Sequence, residues 1–219
     1  RGHLTRARVK AMNVPNFPPE LFDRRYAAPN DWPDNPDVRR ALEWFLSYLP
    51  KSDWISRRSS VANHLFGAAQ GSSLINEQGR VFDARDTFAW YLFLAESYLD
   101  HPMNYEYIFG SRVLPIFQAL GRSVRGLKEV PGAEERVLKL IGPSRSQPNG
   151  LLFELLVAGA YLQEGYSVAM VAEQPGKHRT HDLDVLRGGD SWAVECKRME
   201  TSEYGEHERK RMRQLCVSR

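Results

Sequence analysis

The sequence predicts an α+β protein, in which an all-helical N-terminal part is followed by a helix, a three-stranded meander and a further helix. Three observations predict it. Between residues 37 and 141 apolar residues recur at helical spacing in one segment after another, the pattern of helices with a buried face. A run of breakers and polar residues, GPSRSQPNG at 142–150, then interrupts that texture. Beyond it, alternating segments flank Gly188-Gly189, the two-residue signature of a β-hairpin.

Taken in order, residues 15–36 hold six of the thirteen prolines. Fixed φ and missing N–H donors exclude regular helix or central strand there, so residues 1–36 read as an extended arm. The chain starts at Arg1 rather than Met, as processed or vector-derived sequence does, and its first residues carry no weight. A helix follows: Asn35 can cap it, Pro36 suits its first turn, Val38, Ala41, Leu42, Phe45, Leu46 and Leu49 form one face, and Pro50 stops it. Residues 52–66 form a second, weaker helix. The Gly/Ser-rich stretch 67–73 is a loop that lacks the Gly-Lys-Ser/Thr ending of a phosphate-cradling loop. Residues 81–99 are aromatic and free of Gly and Pro, which suits a mostly buried helix. Helices at 105–120, kinked at Pro115, and at 133–141 complete a helical domain over 37–145. The breaker run 142–150 is the expected linker. In the second domain, 146–219, an apolar helix spans 151–162, a short strand 166–172, a polar loop 173–180, two hairpin strands 181–187 and 190–197, and a last helix about 202–215.

Composition removes several function classes. With 42% hydrophobic and 26% charged residues the chain is neither disordered nor a low-complexity filament. No run approaches the ~20 apolar residues that span a bilayer. A soluble, intracellular, cytoplasmic protein with no membrane partner is expected. Cys196 and Cys216 form neither a disulfide framework nor a zinc spacing. The net charge of +3 is unevenly placed: Arg1, Arg6, Arg8 and Lys10 crowd one end, and residues 197–219 carry seven basic against four acidic groups. Basic charge beside a candidate site is the footprint of a nucleic-acid partner.

The candidate site comes from the carboxylates. Glu154 is the only ionisable residue of its apolar helix, and a buried carboxylate needs a cation, a hydrogen-bond donor or a metal. On the hairpin, alternation puts Asp182 and Asp184 on one face, and Glu195 and Lys197 share a face of the return strand. A turn centred between the two glycines sets Asp182 opposite Glu195. Like charges at opposed positions destabilise a sheet, whereas a hard cation reverses the sign. Mg²⁺ takes one or two carboxylates, keeps several waters and accepts phosphate oxygens. Lys197, about 7 Å along the strand from Glu195, can orient a water and neutralise developing charge.

Asp182, followed thirteen positions later by Glu195-Cys196-Lys197 and preceded by a helix bearing Glu154, resembles the PD-(D/E)XK nuclease superfamily. The text HDLDV…WAVECKR carries the likeness, which covers residues 146–219. The resemblance implies a core like that of restriction endonucleases and Holliday-junction resolvases: helix, three-stranded meander, second helix and fourth strand. It further implies a Mg²⁺-dependent endonuclease, with Mn²⁺ as a substitute, acting on DNA rather than RNA. Asp182 and Glu195 would hold the cation, Lys197 would assist the attacking water, and Glu154 would support the metal or its waters. Lys177, Arg179, Arg198, Arg209, Lys210, Arg211 and Arg213 are candidate phosphate contacts.

This sequence departs from the pattern in three places. His181 stands where the family has Pro; Asp184 rivals Asp182 as metal ligand, because a two-residue register shift exchanges them; and only 22 residues follow Lys197, with room for a helix but hardly for a fourth strand. The chain is then a fragment, or a core completed by another chain. Two other readings stand beside it. One is a nuclease fold unable to cut, serving as a nucleic-acid-binding or assembly module, with the helical domain holding a partner or a second subunit. The other is a helical interaction protein whose aromatic helix supplies the partner surface. More blandly, Glu154 could simply pair with an arginine, and Glu195 and Lys197 could be an exposed strand pair.

Overall fold

The computed structural model describes residues 34–69, 83–172 and 181–198, without the side chains of 66–69 and 103. Among them are six α-helices and one three-stranded antiparallel sheet, an α+β arrangement. Helix α1 (Pro36–Leu46) begins as its sequence dictates: the Asn35 side chain accepts the Val38 N–H at 3.2 Å, Pro36 fills the first turn, and Val38, Ala41, Leu42, Trp44 and Phe45 are buried. Helix α2 (Lys51–Ala69) runs three residues beyond the expected 52–66, so residues 67–69 are helical and only the rest of the expected 67–73 loop lies outside the described residues.

Helix α3 (Thr87–Asp100) is the aromatic segment. Its start is set by polar caps rather than by the apolar pattern: a 3₁₀ turn at Ala84–Asp86 precedes it, and the Asp86 carboxylate accepts the Ala89 N–H at 3.0 Å. Phe88, Trp90 and Phe93 are fully buried. These three rings are core, so of the described aromatics on this helix only the half-buried Tyr91 and Tyr98 could offer a partner surface. Phe45 stacks edge-on against both Phe88 and Phe117, at centroid distances of 5.2 and 5.5 Å.

Helix α4 (Tyr107–Leu127) passes through Pro115 and outlasts the expected 105–120 by seven residues. Gly121 and Gly126 look like stops in the sequence but mark close approaches instead. A Cβ on Gly121 would lie 1.8 Å from the Asp37 carbonyl oxygen of α1, and one on Gly126 would lie 3.2 Å from Leu162. Helix α5 (Ala133–Ile141) matches its expected bounds. The segment 142–148 is not a slack linker, because it is fastened to the first turn of α3. The Arg145 carbonyl accepts the Phe88 N–H at 2.9 Å, and the Ser146 carbonyl accepts the Thr87 hydroxyl at 3.0 Å.

Helix α6 (Asn149–Gln163) is apolar nearly all round because it packs on α4, on α5 and on the sheet. Ser123 of α4 donates to the Gly159 carbonyl at 3.2 Å and receives Gln163 Nε2 at 2.6 Å. The sheet follows as β1 (Ser167–Met170), β2 (Leu183–Arg187) and β3 (Asp190–Val194), paired in the order β1-β2-β3. Gly188 and Gly189 have φ of +60° and +96°, as the tight hairpin turn requires. The register is the expected one: Leu183 faces Val194, Asp184 faces Ala193, and Val185 faces Trp192. Val168, Met170, Leu183 and Val185 turn inward and join the cluster of buried residues that starts at Val38, so one core spans helices and sheet. Among the described residues no helix is long and apolar enough to cross a membrane. The arm before residue 34, the 173–180 loop and the expected last helix lie outside the described residues.

Candidate functional site at the open end of the sheet

Antiparallel pairing brings three chain segments to the sheet end opposite the glycine turn. β1 exits through Val171, β2 enters through Asp182, and β3 exits through Glu195, Cys196 and Lys197. The ladder closes there: the Val171 N–H donates to the Asp182 carbonyl at 2.9 Å, and the Asp182 N–H donates to the Val194 carbonyl at 3.0 Å. The Asp182 carboxylate turns across to β3 and accepts the Cys196 backbone N–H at 2.5 Å through Oδ2. This bond holds the Glu195-Cys196-Lys197 turn against the start of β2, and it leaves the other carboxylate oxygen for a further partner.

Glu154 reaches the same end from α6. Its Oε2 accepts Nε of Arg136 at 2.7 Å, and Arg136 Nη2 donates to the Val171 carbonyl at 2.6 Å. Arg136 comes from α5 and is 1% exposed, so both charges are withdrawn from water and compensated together. The bland expectation for Glu154, an arginine partner from the helical part, therefore holds as geometry. Arg136 itself is the residue that the sequence reading missed. Its signal was present: Ala133, Val137 and Leu140 form the buried face of α5, and Arg136 sits on that face three residues after Ala133 and four before Leu140.

The Cys196 thiol reports how closely the acids gather. Burial pushes it up to about 11, and Asp182, Glu154 and Glu195 add to the shift in that order. Three carboxylates, one from α6 and one from each hairpin strand, thus lie within electrostatic reach of one half-buried sulfur. The thiol stays protonated at neutral pH, so Cys196 is a packing residue and not a nucleophile there. Lys197 Nζ lies 3.9 Å from Glu195 Oε1; the lysine is largely exposed, at 72% for its side chain, and the glutamate is at 35%. Asp184 stands two residues nearer the turn, where His181 Nε2 pairs with its Oδ1 at 2.6 Å. Arg198 follows Lys197 and adds a positive charge near the buried hydroxyl of Tyr91, which donates to Asn149 Oδ1 at 3.0 Å.

The expected site residues divide as follows. Asp182, Glu195 and Lys197 are brought to the same end of the sheet, Asp182 on the Cys196 N–H and Lys197 beside Glu195, and Glu154 reaches that end through Arg136 on the Val171 carbonyl. Asp184 is tied to His181. Lys177, Arg179, Arg209, Lys210, Arg211 and Arg213 lie outside the described residues. Among the described residues no three His, Cys, Asp or Glu side chains stand close enough to form a ready metal cage. A Mg²⁺ site does not demand one, since one or two carboxylates and several waters suffice. The hard oxygen donors Asp182 and Glu195 fit that chemistry.

Fold and site together define an α+β protein with a carboxylate-and-lysine cluster at the end of an antiparallel hairpin sheet. The chain matches no protein-family model, no curated protein and no solved structure.

Proposed function

We propose that the chain is a metal-dependent endonuclease of the PD-(D/E)XK kind, its residues 146–219 forming a restriction-endonuclease-like core and residues 37–145 a helical part that positions substrate, partner or second subunit. One observation carries the reading: the Asp182 carboxylate crosses from the start of β2 to bond the Cys196 N–H at 2.5 Å, between Glu195 and Lys197, whose Nζ stands 3.9 Å from Glu195 Oε1. Like charges at a sheet end call for compensation: Arg136 answers Glu154 and Lys197 stands by Glu195, while the Asp182 carboxylate is held by the neutral Cys196 N–H and is where a cation would add most.

Asp182 and Glu195 would hold Mg²⁺, or Mn²⁺ in its place. When bound, the cation polarises a phosphodiester oxygen and lowers the pKa of a water. The protein supplies the rest. The Asp182 to Cys196 hydrogen bond fixes the two carboxylates relative to each other, the Arg136–Glu154 pair anchors α6 to the strand ends, and the exposed Lys197 ammonium orients the water and offsets charge on the phosphorus oxygens. Arg198 is the described member of the basic set that would contact phosphates, and DNA is the favoured nucleic acid.

The test is a cleavage assay with Mg²⁺ or Mn²⁺ on duplex, single-stranded and branched DNA and on RNA. Wild type is expected to cut at least one of the four. Lys197→Ala and Glu195→Ala should each lower the rate by about 10²-fold or more, with an unchanged circular dichroism spectrum. Variants as active as wild type, or no cleavage of any substrate, overturn the proposal.

A second reading, a nuclease fold that binds nucleic acid or a partner without cutting, is favoured by one observation: Glu154 and Asp184 already have protein partners in Arg136 and His181. It expects steeply salt-dependent binding with no metal-dependent turnover.

A further inference from the structure

Away from the strand ends, a cavity of about 310 Å³ opens between α2, the 3₁₀ turn before α3 and the 142–148 segment. Three guanidiniums line it, Arg57, Arg85 and Arg145, against two carboxylates, Asp83 and Asp86. Both carboxylates are already engaged. Arg57 grips Asp86 with Nε at 2.6 Å and Nη2 at 2.8 Å, and Arg85 chelates Asp83 with Nε at 3.0 Å and Nη2 at 2.7 Å. Asp86 also caps α3, and Asp83 accepts the Arg85 N–H at 2.9 Å. One positive charge is left over, that of Arg145, whose side chain has no acidic partner among the described residues.

Arg57 is the donor held in place before any ligand arrives, whereas Ser56, Ser60 and Arg145 stand exposed at the cavity's mouth. Arg57 is 8% exposed and locked by Asp86, with its Nη1 edge 4.0 Å from the more exposed Asp53. Ser56 and Ser60 line the same wall one helical turn apart, so their hydroxyls share a face of α2. Arg145 rides on the segment fastened to α3 through its own carbonyl and that of Ser146. A group with several acceptor oxygens and negative charge matches two hydroxyls and the free fork of Arg145, beside an Arg57 whose edges already face Asp86 and Asp53. The volume exceeds that of a bare oxyanion and sits at the small end of ligand pockets.

We infer that this cavity is a binding pocket for a phosphate monoester, seated on Arg145, Ser56 and Ser60 with Arg57 as its fixed wall. It is separate from the carboxylate cluster and needs no cleavage activity. The phosphate belongs either to a small phosphorylated metabolite or to the 5′ end of a nucleic-acid strand, and the chemistry of the pocket is the same for both.

Calorimetric titration of the full chain with inorganic phosphate, at ionic strength held constant with NaCl, tests it. Wild type is expected to show saturable binding of one phosphate. Arg145→Ala should weaken it about tenfold, the loss of one charge-assisted contact, and Ser60→Ala should weaken it several-fold. Arg112→Ala, which removes an exposed arginine elsewhere, should change nothing. Adenosine monophosphate and a 5′-phosphorylated tetranucleotide separate the two sources: tighter binding of either supports the pocket and names its ligand. Unphosphorylated counterparts that bind as well, an Arg145→Ala protein with wild-type affinity, an equal loss in Arg112→Ala, or no saturable phosphate binding each overturn it.

Discussion

Arg136 is the residue on which the strand ends depend most. It contributes two strong hydrogen bonds, to Glu154 and to the Val171 carbonyl, from a position with almost no exposure. Removing one partner of a buried ion pair leaves the other charge stranded and costs about 3–5 kcal/mol, whereas replacing both by apolar groups is often near neutral. Arg136→Met should therefore lower the urea midpoint sharply, and Arg136→Met with Glu154→Leu should recover most of the loss. A single variant within a few tenths of a kcal/mol of wild type would refute this account. Cys196 makes a separate prediction. Its folded thiol keeps its proton up to about 11, while the unfolded one releases it near the usual value of 9. Between those two values the native state binds the extra proton, so stability falls as pH rises through the window and is untouched below it. Denaturation of the Cys216→Ser protein from pH 8 to 11, against Cys216→Ser with Cys196→Ser, should show that decline only where Cys196 is present. Iodoacetamide should label Cys196 at pH 8 far more slowly in the native than in the unfolded chain.

At the scale of elements, close approach rather than propensity decides where α4 lies. Gly121 lets the helix ride on the Asp37 carbonyl of α1, where a Cβ would sit at 1.8 Å from backbone oxygen that cannot swing away. Gly121→Ala should cost about 1–3 kcal/mol by overpacking, although alanine favours helix elsewhere. A more stable Gly121→Ala protein by thermal melting would show that α1 and α4 can part without loss. The same glycine explains what could be read from the sequence. The hairpin was legible because strand alternation has a period of two and a Gly-Gly turn centres the pairing, whereas the register shifted by two residues, which buries the same Leu183 and Val185 face, was excluded only by the structure. The end of α4 was not legible, because a helical glycine that touches a neighbouring helix looks the same in sequence as one that stops a helix. The start of α3 was hidden likewise, since Asp83 and Asp86 act through side-chain caps that the apolar pattern does not record. Of the site, the hairpin register put Asp182 level with Glu195, but the strands are shorter than the expected 181–187 and 190–197. β2 starts at Leu183 and β3 ends at Val194, so Glu195 and Lys197 lie beyond the ladder where alternation no longer applies, and Arg136 became visible only when α5 docked beside α6.

For the whole molecule, the texture changes near residue 146 but the packing does not. α6 is bonded to α4 through Ser123, with Gly159 accepting at 3.2 Å and Gln163 donating at 2.6 Å. Leu151, Leu152, Leu155 and Ala158 lie in the same buried cluster as Phe117 and Leu127. The sheet is anchored to the helices twice more, by Arg136 on the Val171 carbonyl and by the Met170 N–H on the Pro131 carbonyl at 2.8 Å. A three-stranded sheet with strands of four and five residues cannot bury enough surface to stand without such support. Residues 146–219 expressed alone would expose the α4-facing side of α6 and leave Glu154 without Arg136, two costs that none of the described residues of the segment repays. The expected outcome is one cooperative thermal transition for the full chain, with calorimetric and van't Hoff enthalpies in agreement, and no cooperative transition for 146–219 by itself. Two resolved transitions in the full chain, or a fragment that melts cooperatively, would mean that the strand-end cluster is held by its own segment. Any loss of activity in Arg136 variants would then have to arise inside the cluster, not through the helices behind it.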